Sequence, residues 1–131
     1  MEMQRKYKNE ESDNINLIES WINRIDFNNE SREVHFEFEW TEGDSLTCVC
    51  NIFSNFEMRT SYSPYGSLGA LEISGFSYLK RNNGYIIQFN FDYPPSIGYI
   101  KLYCKDFYFI TSSPPIQKGG NDNRIDNGSE Q

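Results

Sequence analysis

Histidine is nearly missing from this sequence, with His35 its single example. Any base working near neutral pH, and any Cys-His or Ser-His-Asp arrangement, would have to use that residue. Long apolar runs are missing too, and none approaches the roughly 20 residues that cross a bilayer as a helix. The opening MEMQRKYKNEES carries basic residues with no apolar stretch behind them, so it does not read as a secretory signal. There is no P-loop, no GxGxxG and no HExxH, so the common phosphate-cradling and zinc-protease patterns are excluded. Cysteine is scarce and odd in number: Cys48, Cys50 and Cys104. A chain of this size needs no staple, and the three read as thiols of a reducing cytoplasm.

Positive charge is also short, with 12 basic side chains against 19 acidic ones and a formal charge of −7. Residues 13–112 hold seven of the basic and thirteen of the acidic side chains, a net −6, so the acidity belongs to the central part. A surface of that sign repels nucleic acid and anionic lipid and attracts basic proteins. Nucleic acid and membrane are therefore not expected as partners, and the missing motifs leave no cofactor or metal expected either.

What the sequence has in plenty is aromatic side chains, 16% of the chain, which favour strands. Its 131 residues suit one domain. Ile15, Ile18, Trp21, Ile22 and Ile25 recur near a period of 3.6 and predict an amphipathic helix over residues 13–25. EVHFEFEW, residues 33–40, alternates strictly and predicts a strand. Residues 46–53 alternate again, and the pair reads as a hairpin. Burying only apolar side chains pairs Trp40 with Leu46, Phe38 with Cys48, Phe36 with Cys50 and Val34 with Ile52, which turns both cysteines inward. Further strands are expected over 56–62, 68–76, 85–93 and 99–110, with turns at 63–66 and at Arg81-Asn82-Asn83-Gly84, and a bulge near Asp106. Residues 1–12 and 113–131 lack the apolar content to repay ordering and read as disordered tails. The expected fold is α+β: one N-terminal helix, then a meander of five or six antiparallel strands over 13–112.

Candidate chemistry is thin. Cys-x-Cys inside a strand is a poor zinc spacing, because structural zinc pairs sit in turns. The same parity that turns Cys48 and Cys50 inward turns His35 outward, away from them. Glu37 and Glu39, about 7 Å apart on one strand face, could serve as paired carboxylates, but nothing in the sequence marks a cleft around them. Gly66-Ser67-Leu68-Gly69 has the spacing of an RNA-binding loop without its basic flank. Glu33, His35, Glu37 and Glu39 therefore form one polar strand face, which reads either as the solvated back of a strand or, joined by Asp92 or Tyr103 from a neighbouring strand, as a surface that binds a protein.

The run Gly69-Ala70-Leu71-Glu72-Ile73-Ser74-Gly75-Phe76, and later Gly98-Tyr99-Ile100-Lys101-Leu102-Tyr103-Cys104, resembles the C-terminal half of small immunity proteins of bacterial polymorphic toxin systems. It is most similar to immunity protein family fifty. The resemblance covers about a third of the chain and supplies no functional residues. It implies a cytoplasmic antidote that binds and blocks one toxin; the acidity and the lack of a catalytic constellation add that it is non-catalytic and that its partner is a basic toxin or effector domain. A phage-encoded inhibitor of a host defence protein fits the same composition, and a small enzyme using Glu37, Glu39 or His35 is the reading from another class.

Overall fold

The computed structural model describes residues 4–40, 45–61, 71–93 and 96–111. Its strands are β1 (Arg5–Lys8), β2 (Trp21–Asn28), β3 (Glu33–Glu39), β4 (Leu46–Asn51), β5 (Ser54–Ser61), β6 (Leu71–Glu72), β7 (Gly75–Arg81), β8 (Gly84–Tyr93), β9 (Ser96–Cys104) and β10 (Asp106–Thr111). One 3-10 helix, Asn9–Asn14, follows β1. The strands form two antiparallel sheets. One has the order β1-β10-β4-β3-β2-β6 and the other β5-β9-β8-β7.

The alternation in EVHFEFEW sets the packing. Val34, Phe36 and Phe38 are buried while Glu37 and Glu39 are exposed. Cys48 and Cys50 on β4 and Phe107 and Phe109 on β10 share their face. The other sheet answers with Ile87, Phe89 and Phe91 on β8 and Ile100, Leu102 and Cys104 on β9, all buried. Phe89 meets Phe36 at a ring separation of 4.9 Å and Phe76 at 5.1 Å. Burying side chains of this kind supplies roughly 1.5–3 kcal/mol each, so the layer between the sheets is the main source of stability.

The α+β expectation is overturned: no amphipathic α-helix forms over residues 13–25, where only the end of the short 3-10 helix falls, and the fold is β-rich. Residues 15–20 run as an irregular segment into β2. Their backbone groups are taken from outside. Glu19 N–H donates to the Ile73 carbonyl, Ile73 N–H donates to the Ser20 carbonyl, and the Trp40 indole donates to the Asn16 carbonyl. The apparent 3.6 period has a local cause. Ile22 pairs with Phe38 and Ile25 with Phe36, so three positions on β2 span two on β3. That β-bulge places apolar residues three apart on a strand, which mimics one helical turn. The β-branched isoleucines stiffen against helix and fit the strand.

The N-terminal tail is corrected as well. Residues 5–8, expected to be disordered, form β1 against β10, and Ser12 is buried. The hairpin parity holds but its register moves by two, with Phe38 opposite Leu46, Phe36 opposite Cys48 and Val34 opposite Cys50. The strand expected over 99–110 breaks at Lys105, where the chain leaves one sheet for the other and Lys105 N–H donates to the Asn51 carbonyl. That crossing, rather than a bulge, resets the alternation at Asp106. The turn between β7 and β8 is Asn82-Asn83, with Asn82 at φ 58°. Gly84 serves close approach instead, since a Cβ there would lie 2.5 Å from the Cys104 carbonyl oxygen. The expected turn at 63–66, the Gly66–Gly69 spacing and the tail at 113–131 lie outside the described residues.

The two flanks of the sandwich differ. On one, β7 lies over β10, with Phe76 against Phe107 and Phe109. The segment after β1 closes this flank: Tyr78 donates to Asp13 at 2.9 Å, Tyr85 donates to Glu10 at 2.8 Å, and the Asn9 carboxamide oxygen accepts from Phe107 N–H. On the other, β5 lies over β2 and β3, with Phe56 against Phe27 and Phe36. There Phe27 is 51% and Met58 40% exposed.

Burial, then the bond to Glu10, raises the Tyr85 hydroxyl from its ordinary value of 10.0 to about 12. The unfolded chain releases this proton near pH 10 and the folded chain near 12, so its contribution is complete below 10 and is lost as pH rises toward 12. A Tyr85→Phe variant is expected to lose stability less steeply than wild type across that interval. Denaturant midpoints measured at successive alkaline pH values check this, and identical slopes would contradict it.

Candidate functional site

The outer face of the six-stranded sheet gathers the polar residues of EVHFEFEW and adds neighbours the sequence did not reveal. Strand parity turns Glu33, His35, Glu37 and Glu39 outward. On the β2 side, Asn28 stands opposite Glu33, Asp26 opposite His35, Arg24 opposite Glu37 and Trp21 opposite Glu39. On the β4 side, Asn51, Val49 and Thr47 stand opposite Glu33, His35 and Glu37. Tyr108 and Ile110 on β10 extend the rows to Lys8 and Lys6 on β1.

The pieces are held in place. His35 Nε2 lies 3.0 Å from Glu33 Oε1, an ion pair whenever the imidazole is protonated. Arg24 Nε bonds Asp26 at 3.0 Å. Lys6 Nζ sits 4.4 Å from the centre of the Tyr108 ring. Burial, then the Glu33 carboxylate, pushes the Tyr108 hydroxyl above its ordinary value. Val49 points outward yet is only 4% exposed, so the middle of the face is packed rather than open. A shallow cleft of about 440 Å³ at the β2–β3 turn is lined by Asp26, Phe27, Asn28, Asn29, Glu30 and His35. The face is graded, with lysines at the β1 margin and carboxylates over β3 and β2.

Asp92 and Tyr103 do not join it. They lie on β8 and β9 in the other sheet, and the neighbours of β3 are β2 and β4. The expected group of six therefore divides into four residues on one sheet and two on the other. Arg24, Asp26 and Trp21 take the vacated places. They were legible only to a reader who saw residues 21–28 as a strand, and the bulge between Ile22 and Arg24 hid that.

The cysteines lie on the opposite side of the sheet from His35. Cys48, Cys50 and Cys104 are all buried free thiols. Burial pushes the Cys50 thiol well up, and the bond to Cys50, then burial, does the same to Cys104. Such thiols are poor nucleophiles and poor ligands in their protonated form. Among the described residues no group of three or more His, Cys, Asp or Glu side chains is arranged to hold a metal ion. A thiol reagent is expected to label all three slowly in native protein and quickly in denaturant. Fast native labelling would place them at the surface and contradict the inward parity.

No family model matches the chain, and no curated protein matches it. A solved structure does: the crystal structure of an uncharacterized protein from Neisseria gonorrhoeae is 18% identical, with a TM-score of 0.56 over 82% of this chain and 96% of that one. At that identity the likeness is one of fold. Among the described residues no helix is long and apolar enough to cross a membrane.

Proposed function

We propose that this chain is a non-catalytic binding protein, an immunity-type inhibitor that docks the outer face of its six-stranded sheet on a basic toxin or effector domain in the cytoplasm. One observation carries the reading: Glu33, Glu37, Glu39 and Asp26 share a single sheet face with Trp21, which is 40% exposed beside Glu39. An exposed tryptophan offers an anchor for a partner's pocket, and surrounding carboxylates steer a basic partner into register. Inhibition needs only this complementarity, whereas the enzyme alternative needs a nucleophile or paired acids in a cleft, and Glu37 and Glu39 stand exposed on the strand.

The test separates docking from folding. Glu33 is part-buried and bonded to His35, so the informative variant is the double Glu37→Lys, Glu39→Lys, which changes exposed positions alone. Its thermal midpoint is expected to match wild type. Its association with the partner, identified by affinity capture from the source cell, is expected to slow by about tenfold at low salt, with a flatter salt dependence. Unchanged association by the folded variant would return these glutamates to a merely solvated face.

A further inference from the structure

The open flank ends in two strand edges. Residues of β5 pair with β9 on one side only, and residues 24–28 of β2 pair with β3 on one side only, among the described residues. β6 covers β2 at Trp21 and Ile22. Exposed edges of this kind seek a further strand.

Both edges read the same way in each direction. On β5, Glu57 and Arg59 flank Met58 on the outer side and lie 3.6 Å apart, with Arg59 77% exposed in its side chain. On β2, Arg24 and Asp26 flank Ile25 in the same manner. An antiparallel copy of β5 centred on Met58 places Glu57 opposite the copy's Arg59, Arg59 opposite its Glu57, and Phe56 opposite its Thr60. A copy of β2 centred on Ile25 places Arg24 opposite Asp26 and Asp26 opposite Arg24. Opposite charges directly across strands attract, and like charges repel. The β7 edge shows the contrast: its only charged side chains are Lys80 and Arg81, which share one sign and gain nothing from a copy.

The two centres also agree with each other. Phe27 of β2 meets Phe56 of β5 at 5.1 Å. Ile25 lies two residues before Phe27 and Met58 two residues after Phe56. The strands run in opposite senses, since β2 ends and β5 begins beside the β4–β5 connection, where Phe53 touches both Phe27 and Phe56. Both centres therefore lie in the same direction from the shared ring contact. One two-fold axis along the sheet normal serves both edges, because such a rotation reverses strand direction while keeping each sheet in its own layer. The same step covers the apolar side chains this flank leaves open, Phe27 and Met58.

We infer that the chain forms a two-fold dimer through its β5 edge, with the β2 edge facing its own copy across the same axis, so that the four-stranded sheet continues from one protomer into the next. Arg24 and Asp26 border both this edge and the outer face proposed for the toxin-type partner, but the variants tested below lie on β5 alone, so either reading can fail without the other.

Sedimentation of the full chain over a wide concentration series tests it, with circular dichroism confirming the fold of each variant. Wild type is expected to show a reversible monomer–dimer equilibrium. Arg59→Glu lines up four carboxylates across the axis and is expected to weaken the dimer by about tenfold or more. The double swap Glu57→Arg, Arg59→Glu restores opposite pairs and is expected to recover most of the loss. A wild type that stays monomeric at the highest concentration overturns the inference. So does a dimer indifferent to Arg59→Glu, or a folded double swap no better than the single variant.

Discussion

Gly98→Ala is expected to unfold this protein more readily than any other single methyl addition described. Gly98 sits within β9 between Thr60 of β5 and Phe91 of β8, at φ 148°. That dihedral is one L side chains rarely adopt. A Cβ would overlap the Arg59 carbonyl oxygen and lie 2.7 Å from its carbon and 2.8 Å from Thr60 Cα. All three atoms are backbone, so relief requires β5 to move as a whole. Strain and overpacking of this kind together cost about 3 kcal/mol or more, which lowers the thermal midpoint of a domain this size by at least about 10 °C. Gly75→Ala is the matched control, because its nearest neighbour would be Asn90 Nδ2 at 3.8 Å, an ordinary contact. Equal midpoints for the two variants would mean that β5 does not approach β9 as described.

Phe89→Ala is expected to rival it by the opposite mechanism. Phe89 is fully buried on β8 and touches Phe36 and Phe38 from the facing sheet and Phe76 from its own. Truncation removes the ring that three others pack against and leaves a void between two sheets that cannot close around it. Such losses run at about 3–5 kcal/mol, against a total stability of about 5–15 kcal/mol for a typical domain. Leu79→Ala, at an exposed position on β7, is expected to stay within about 0.5 kcal/mol of wild type. Urea denaturation read by far-ultraviolet circular dichroism measures both, and a Phe89 variant as stable as the Leu79 variant would place the core elsewhere.

How far the sequence discloses this arrangement differs from element to element. β3 and β8 are legible because one face of each is buried and the other is not, so alternation is written into their residues. The inward parity of Cys48 and Cys50 follows from the same rule. β1 is illegible: Arg5, Lys6, Tyr7 and Lys8 carry little apolar signal, and what orders them is the backbone ladder offered by β10. β2 is misleading because a bulge converts a period of two into an apparent period near 3.6. The outward side of the candidate face follows from β3 alone, yet its neighbours depend on which strands flank β3. That order is set by pairings remote in sequence, so the residues alone suggest Asp92 and Tyr103 for a face that Trp21, Arg24 and Asp26 occupy.

The position of β10 has a consequence for how the protein is made. It lies between β1 and β4, so the long sheet cannot close until residues 106–111 have been synthesised. Asn9 meets its partner Phe107 across 98 positions of chain. Until then β1 has no neighbour, β4 exposes an edge, and the inner faces of Cys48 and Cys50 lack Phe109 and Phe107. The β7–β8–β9 meander can form on its own local contacts meanwhile. A released chain cut short before Asp106 would therefore hold one finished sheet and part of another, with its unpaired edge open to other chains.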